Sequence, residues 1–372
     1  LGKVSEENKK LKPWEKKRLY LTLIIYVGFS VIYLLLTCGL LLKDNLIQPE
    51  KWESSVTENS DMIPEIRKIG EEEGAQKVLC GTYIENLSSI SFKDNSFDGV
   101  MEVWFKWEGN PDLDMISHFR LYKGEISEKE IVTDYHEGNV NYQKARIRFT
   151  VSKNFRTPRF PLGSYQLHIY IEPDMRCDEV QLEADTENSS LNQNLEVSGY
   201  DVTRHAISLV PIRYEGTQSD PALEKKIAKG DLMTTEVMTA VEITRSGVGT
   251  YVKCFIALFA TIIWVLITLY LCTVHEVDPL GMIPGAFFGA VSNIMVGASL
   301  LPDALQPGLI EYVNIWGIAN ILACTVMIIS INSIRKRYHE SEFARHYGRI
   351  MLITSTVLTV LGNILLPLVC VV

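Results

Sequence analysis

The chain has 372 residues, 47% of them hydrophobic and 22% charged, and a formal net charge of −9. With no basic excess to neutralise phosphates, nucleic-acid binding is excluded as its main role, and the apolar content excludes disorder over most of the length. Seven cysteines spread this thinly exclude a small disulfide scaffold.

The first apolar run covers about 19–42, enough for a helix to cross a bilayer, which takes roughly 20 residues. It has the outline of a cleaved signal peptide, with a basic start and a Leu35-Leu36-Thr37-Cys38 sequence that resembles a lipoprotein cleavage site. The apolar run continues past Cys38 through Leu42, so retention as an anchor is the expectation. Residues 1–43 then form a basic start and a transmembrane helix, and residues 44–76 a polar linker in which Pro64 can open a short helix.

From Lys77 the pattern changes to period-two alternation. In 163–172, Tyr165, Leu167, Ile169 and Ile171 share one face, and Gln166, His168, Tyr170 and Glu172 the other. In 145–151, Ile147, Phe149 and Val151 point inward. Further strands are expected near 78–92, 97–108, 180–185, 195–210 and 234–245, with turn signals at Asp98-Gly99, Glu108 through Pro111, Glu137 through Asn139 and Pro161 through Gly163. Many short antiparallel strands at this spacing predict a β-sandwich over 77–245, in which acids outnumber bases.

That domain offers no catalytic constellation. His118, His136, His168 and His205 are too dispersed for a metal-ligand motif, and no phosphate loop or nucleophile elbow is present, so neither an enzyme nor a metal or cofactor site is expected. Cys80 and Cys177 are the two cysteines of this domain and read either as a disulfide or as two buried thiols. Cys38, Cys254, Cys272, Cys324 and Cys370 fall in the apolar runs and behave as small hydrophobes.

Four more apolar runs, about 251–274, 280–301, 313–334 and 350–371, close the chain, making 246–372 a four-helix membrane domain. Lys9, Lys10, Lys12, Lys16, Lys17 and Arg18 precede the first span, and Arg335, Lys336, Arg337, Arg345 and Arg349 separate the last two. Placing both clusters on the cytoplasmic side puts the strand domain and Val372 outside. The expected fold class is membrane α+β: an outer antiparallel β-sandwich plus a four-helix transmembrane bundle, with one additional N-terminal transmembrane helix.

The run at 280–301 differs from the other four. It is rich in glycine and alanine and carries Ser292, Asn293 and Ser299, a composition suited to burial among helices or against water. Steps of four and three residues give the stripe Gly281, Gly285, Phe288, Ser292, Met295 and Ser299. One reading is close packing through Gly281, Gly285 and Gly289. The other is a pore with one such stripe per subunit, gated by dewetting at a Phe288 ring. Glu276 and Asp278 precede this helix on the cytoplasmic side, where a carboxylate ring would attract cations; the alternative is two solvated loop acids. Leu301-Pro302 makes a turn after it.

Taken in order, six segments resemble the pentameric ligand-gated ion channels, the Cys-loop-type receptors, over about 77–372. Residues 77–109 look like the first two outer strands, 160–172 like the Phe-Pro loop and the strand after it, and 195–210 like the next strands. Residues 241–252 look like the last strand with its Arg, 278–302 like the pore helix with its terminal Leu-Pro, and 312–322 like the helix after it. The resemblance implies five identical subunits in a plasma membrane (a bacterial inner membrane), multi-pass, with permeating ions in a shared pore. It implies gating by a small ligand, a proton or a divalent cation on the outer domain, carried to the pore through Phe160, Pro161, Arg245 and Pro302. Candidate ligand residues are Trp104, Lys106, Arg176 and Tyr214. This sequence departs from the family in lacking the Cys pair around the Phe-Pro loop, in having Leu162-Gly163 where an acid usually pairs with the Arg, in a short 110–139 segment, in a long loop at 303–314 and in the extra first span. The competing expectation is a non-conducting membrane sensor or scaffold whose sandwich binds a partner.

Overall fold

The structure is a computed structural model and describes residues 12–57, 62–175, 178–213, 233–302 and 306–371. The chain divides into two compact units. One gathers residues up to Leu46, Thr157–Gly163 and Val248–Val372, and the other comprises Ile47–Arg156 and Ser164–Gly247.

In the strand unit the alternating segments fold as expected into two stacked sheets. β1 (Gln76–Ser91), β2 (Ser96–Glu108), β4 (Gly124–Glu137), β5 (Val140–Ser152), β7 (Val180–Ala184) and β8 (Ser190–Leu191) make one sheet. β3 (Phe119–Leu121), β6 (Ser164–Pro173), β9 (Tyr200–Arg213) and β10 (Met233–Arg245) make the other. Their orders are β4-β5-β2-β1-β7, with β8 also on β1, and β3-β6-β10-β9. The larger sheet is mixed rather than purely antiparallel, because β7 and β8 join β1 in parallel. β7 follows β6 of the other sheet, and a crossing between sheets, unlike a hairpin, can deliver a strand in either sense.

The inward residues interlock as the alternation requires. Met101, Val103 and Phe105 of β2 and Ile147 and Phe149 of β5 are buried on one side, Leu167, Ile169 and Ile171 of β6 on the other. Two polar side chains meet in this core, Thr82 and Thr239, whose hydroxyls are 2.7 Å apart and satisfy each other across the sheets. Three strands depart from the sequence expectation. β3 and β8 are too short to show a period, and β4 is a largely exposed edge strand rich in Glu, so its apolar signal is weak. The expected turn at Asp98-Gly99 lies inside β2, and the chain reverses instead at residues 92–95, where Asn95 takes a φ of 52°.

β10 is buried on both faces from Met233 to Val241. Its inner face meets the other sheet, and its outer face is covered by a helix. The first helix, α1, runs Pro13–Val56, well past the residue 43 boundary where a linker was expected. Its final turns bring Trp52 and Val56 against Met238 and Ala240. The amphipathic α2 (Met62–Glu73), with Pro64 in its first turn as anticipated, turns Met62, Ile66 and Ile69 toward Met233.

The helical unit contains α3 (Gly249–Val274), a 3-10 turn (Leu280–Met282), α4 (Ile283–Leu300), α5 (Leu309–Tyr338) and α6 (Ser341–Val371), together with α1 up to Leu46. Among the described residues five helices are long and apolar enough to cross a membrane, α1 and these four, the 3-10 turn counting with α4. Lipid supplies no hydrogen bonds, and several of their polar side chains pair with one another or with helix carbonyls. Asn320 is a hub, accepting from Tyr26 Oη of α1 at 2.7 Å and Thr359 Oγ1 of α6 at 3.0 Å while donating to the Trp316 carbonyl. Tyr33 of α1 stacks on Trp316 and donates to the Tyr312 carbonyl. The additional helix is thus bonded into the bundle rather than loosely attached to it.

Replacing Trp52 with Ala removes the largest side chain covering the outer face of β10 and is expected to destabilise the strand unit by about 3–5 kcal/mol. The readout is the denaturation midpoint of the detergent-solubilised protein; an unchanged midpoint would mean that Trp52 does not cover the sheet.

Candidate functional site

α4 has two unlike faces. Ile283, Ala286, Ala290, Asn293 and Gly297 are buried. Gly289 and Gly297 allow this close approach, since a Cβ on them would stand 2.3 Å from Thr261 Oγ1 and 2.8 Å from an Ile310 methyl. The buried Asn293 donates to Asn314 Oδ1 at 2.8 Å. Gly281 and Gly285, by contrast, have nothing near the position of a Cβ, so of the glycine series read as a packing motif only Gly289 packs within the protomer.

The stripe Gly281, Gly285, Phe288, Ser292, Met295 and Ser299 lies on the side opposite this buried face, as a 100° rotation per residue requires. Phe288 is 77% exposed and Met295 71% exposed. The hydroxyls of Ser292 and Ser299 donate to their own helix, to the carbonyls of Phe288 at 2.9 Å and Val296 at 2.7 Å.

The two acids before α4 carry cationic partners. Asp278 accepts from Lys336 Nζ at 2.8 Å and Asn332 Nδ2 at 2.7 Å, and the Lys336 bond holds its carboxyl below the usual carboxylate range. Glu276, at a φ of 58°, lies 3.5 Å from Arg345 Nη2.

The segment Thr157–Gly163, which joins β5 to β6, belongs to the helical unit. Phe160 is buried and precedes a cis peptide to Pro161. Just before it, the Pro158 carbonyl accepts from the Leu309 amide at 2.7 Å. Gly308 lies so close that a Cβ there would stand 2.5 Å from the same oxygen. The loop therefore touches the start of α5, the helix that follows Pro302, itself half-buried. Arg245, at the end of β10, packs over the Tyr200 ring at 4.0 Å and donates to the Gly199 carbonyl.

Sequence reasoning passed over Arg159. Its guanidinium is buried, with Nε 3.3 Å from Asp44 Oδ2, both side chains 6% exposed. It also donates to Asn45 Oδ1 and, at 3.4 Å, to the Cys370 carbonyl. Two of these groups come from α1 and one from the end of α6. The available signal was a lone Arg between Pro158 and Phe160, together with an Asp directly after an apolar run.

In the strand unit, Trp104 and Lys106 project from the outward face of β2. Trp104 donates to Asp185 at 3.1 Å and lies across Gly81, whose missing side chain makes room for the ring. Lys106 is exposed. Arg176 and Tyr214 lie outside the described residues. Cys80 is a buried free thiol whose proton is held by burial, and its expected partner Cys177 lies outside the described residues. No group of His, Cys, Asp and Glu fit to hold a metal occurs among the described residues.

These features define a multi-pass membrane protein with a β-sandwich domain linked to a bundle of transmembrane helices. No family model matches the chain, and no curated protein matches it.

Asp44→Ala removes the carboxylate beside the buried Arg159 guanidinium and is expected to cost about 3–5 kcal/mol, with Arg159→Ala costing less in the Asp44→Ala background than in the wild type. A double-mutant cycle on thermal midpoints in detergent measures the coupling; purely additive losses would show that the two side chains do not interact.

Proposed function

We propose that the protein is a pentameric ligand-gated ion channel, cation-conducting, in which five copies of α4 surround the pore and a ligand or ion acts on the outer sandwich. In this arrangement the N-terminus is cytoplasmic and the C-terminus outside, in a plasma membrane of bacterial inner-membrane type. Conduction, not catalysis, is its task. The observation that carries the proposal is the stripe from Gly281 to Ser299, exposed except at the half-buried Ser292, on the side opposite the face that α4 buries against its own protomer. A helix so divided presents small residues, two hydroxyl-bearing positions and the Phe288 and Met295 side chains to whatever lies outside the protomer. A narrow water column with an apolar constriction fits that sequence of side chains.

The 157–163 loop supports the same reading. It carries Phe160 and Pro161, it packs with the membrane helices, and its Pro158 holds the first residues of α5. Through this loop a displacement of β5 and β6 would act on the start of α5, the helix that follows the pore helix, with Arg245 and Pro302 as further coupling residues. Trp104 and Lys106, with Arg176 and Tyr214, are the proposed ligand-binding residues. Glu276 and Asp278 are the proposed charge filter, although Arg345 and Lys336 partly offset their pull on a cation.

A second reading, a non-conducting sensor or scaffold, is favoured by one observation. Ser292 and Ser299 direct their hydroxyls to their own helix, so the stripe can pack without water.

Mass measurement in detergent and ion flux from liposomes separate the two: a conducting pentamer is expected, and a dimer without flux would remove the channel. Phe288→Ala should raise leak several-fold by easing hydration of the constriction, on the order of 1 kcal/mol in the closed–open equilibrium. An unchanged leak would take Phe288 off the axis. Replacing Glu276 and Asp278 together by Ala should shift the reversal potential toward the anion side; no shift would locate the charge filter elsewhere.

A further inference from the structure

The four-stranded sheet carries a cross-strand row of charges on the face turned away from the sandwich core, beside the separate Arg204–Glu242 pair. Arg120 of β3 is paired in register with Glu172 of β6. Glu236 lies one position beyond the Val237–Ile171 pair, which sets it opposite Glu172, and on its other side it is registered with Val210 of β9. The row therefore reads Arg120, Glu172, Glu236, Val210.

Arg120 is fully committed to the first acid. Its Nε and Nη2 donate to the two Glu172 oxygens at 2.9 and 3.0 Å, and Asp174 adds a further negative charge 3.7 Å from Nε. Glu172 is 2% exposed and Glu236 1% exposed. Glu236 Oε1 has no hydrogen-bond partner. One guanidinium thus stands before two buried carboxyl groups and bonds only the nearer. Like charges directly opposite on neighbouring strands repel, and a bare buried carboxylate is far costlier than its protonated form.

No other described group offsets this. From β6 the second group facing Glu236 is the Tyr170 side chain, which is neutral, and from β9 it is Val210. α2, which packs by β9 and β10, turns apolar residues toward Met233 and leaves Glu65, Arg67, Lys68, Glu71, Glu72 and Glu73 exposed. The end of α1 covers the sheet with Trp52 and Val56, while Glu50, Lys51 and Glu53 are exposed. Burial first, and then the facing Glu172, push the Glu236 carboxyl up to about 8, against the pull of Arg120.

We propose that Glu236, seated against the Arg120–Glu172 pair, is a proton-binding site of the outer domain. Protonated, Glu236 leaves the row with one balanced ion pair. Ionised, it places a second negative charge in the row on β10, the strand that ends at Arg245 and leads into α3. The inference deepens the channel proposal by naming the proton as the ligand class. It rests on that proposal for any effect on current, but not for the protonation itself.

The folded state holds this proton at pH values where the unfolded chain, near 4.5, has released it. Stability contributed by the site therefore falls as pH rises from about 4.5 and is fully lost above about 8. Thermal midpoints of the full-length protein in detergent, taken through this range, should fall toward the alkaline end. Glu236→Gln should flatten that fall, and infrared spectra should lose one protonated-carboxyl band at alkaline pH in the wild type only. A Glu236→Gln protein with the wild-type alkaline fall overturns the proposal. Should that variant fail to fold, Glu172→Gln gives a second arm. It removes the like charge and frees Arg120 for Glu236, so the step should move to lower pH by about 1–3; an unmoved step overturns the proposal equally. A protonation step at Glu236 without ion flux upholds this site and removes the channel, whereas flux without such a step upholds the channel and removes the site.

Discussion

Hydrocarbon offers no hydrogen bonds, and much of the helical unit follows from that constraint. Several of its buried polar side chains are paired across helices: Asn293 with Asn314, Asn320 with Tyr26 and Thr359, Arg159 with Asp44. These contacts fix which face of each helix turns inward more firmly than Leu or Ile could, since apolar side chains pack against lipid as readily as against each other. On α4 the consequence is direct. Once Asn293 is committed to Asn314, the side bearing Phe288 and Met295 must point away from the protomer.

The strand unit meets the same requirement differently. Its inner faces are largely apolar, with paired polar groups such as Thr82 with Thr239 and Thr235 with the Leu182 backbone, while ion pairs such as Arg120–Glu172 stand on the outward faces. Glu236 departs from this as an acid buried on an outward face with no partner for Oε1. A buried acid in that position persists only if it is neutral or if holding it near ionisation is useful.

Much of this was legible in the residues. Five apolar runs gave five helices, and period-two segments such as 163–172 gave strands with the expected inward faces. What stayed hidden has physical causes. β4 is an edge strand with most side chains in water, so burial imposes no alternation on Gly124–Glu137. The extent of α1 was hidden because residues 44–56 are polar on average and carry Pro49, while the helix there is held by a few large side chains such as Trp52. Within the candidate site, the stripe on α4 could be read from spacing alone. The Arg159–Asp44 pair could not, because more than a hundred residues separate the two and neither belongs to a recognisable motif. Glu236 stood in an apolar-looking strand, and only the register against Glu172 reveals what it faces.

The length of α1 also bears on how the strand unit can be handled apart from the membrane. A fragment trimmed to the first β residue, Gln76, would discard both Trp52 and Ile66, and with them the cover over Met238, Ala240 and Met233. Those side chains would then form a sticky patch on an otherwise acidic, soluble surface, and clumping would follow. A secreted or crystallisable version of this module should instead keep the chain from Ile47 onward, retaining the tail of a membrane helix as part of a water-soluble domain.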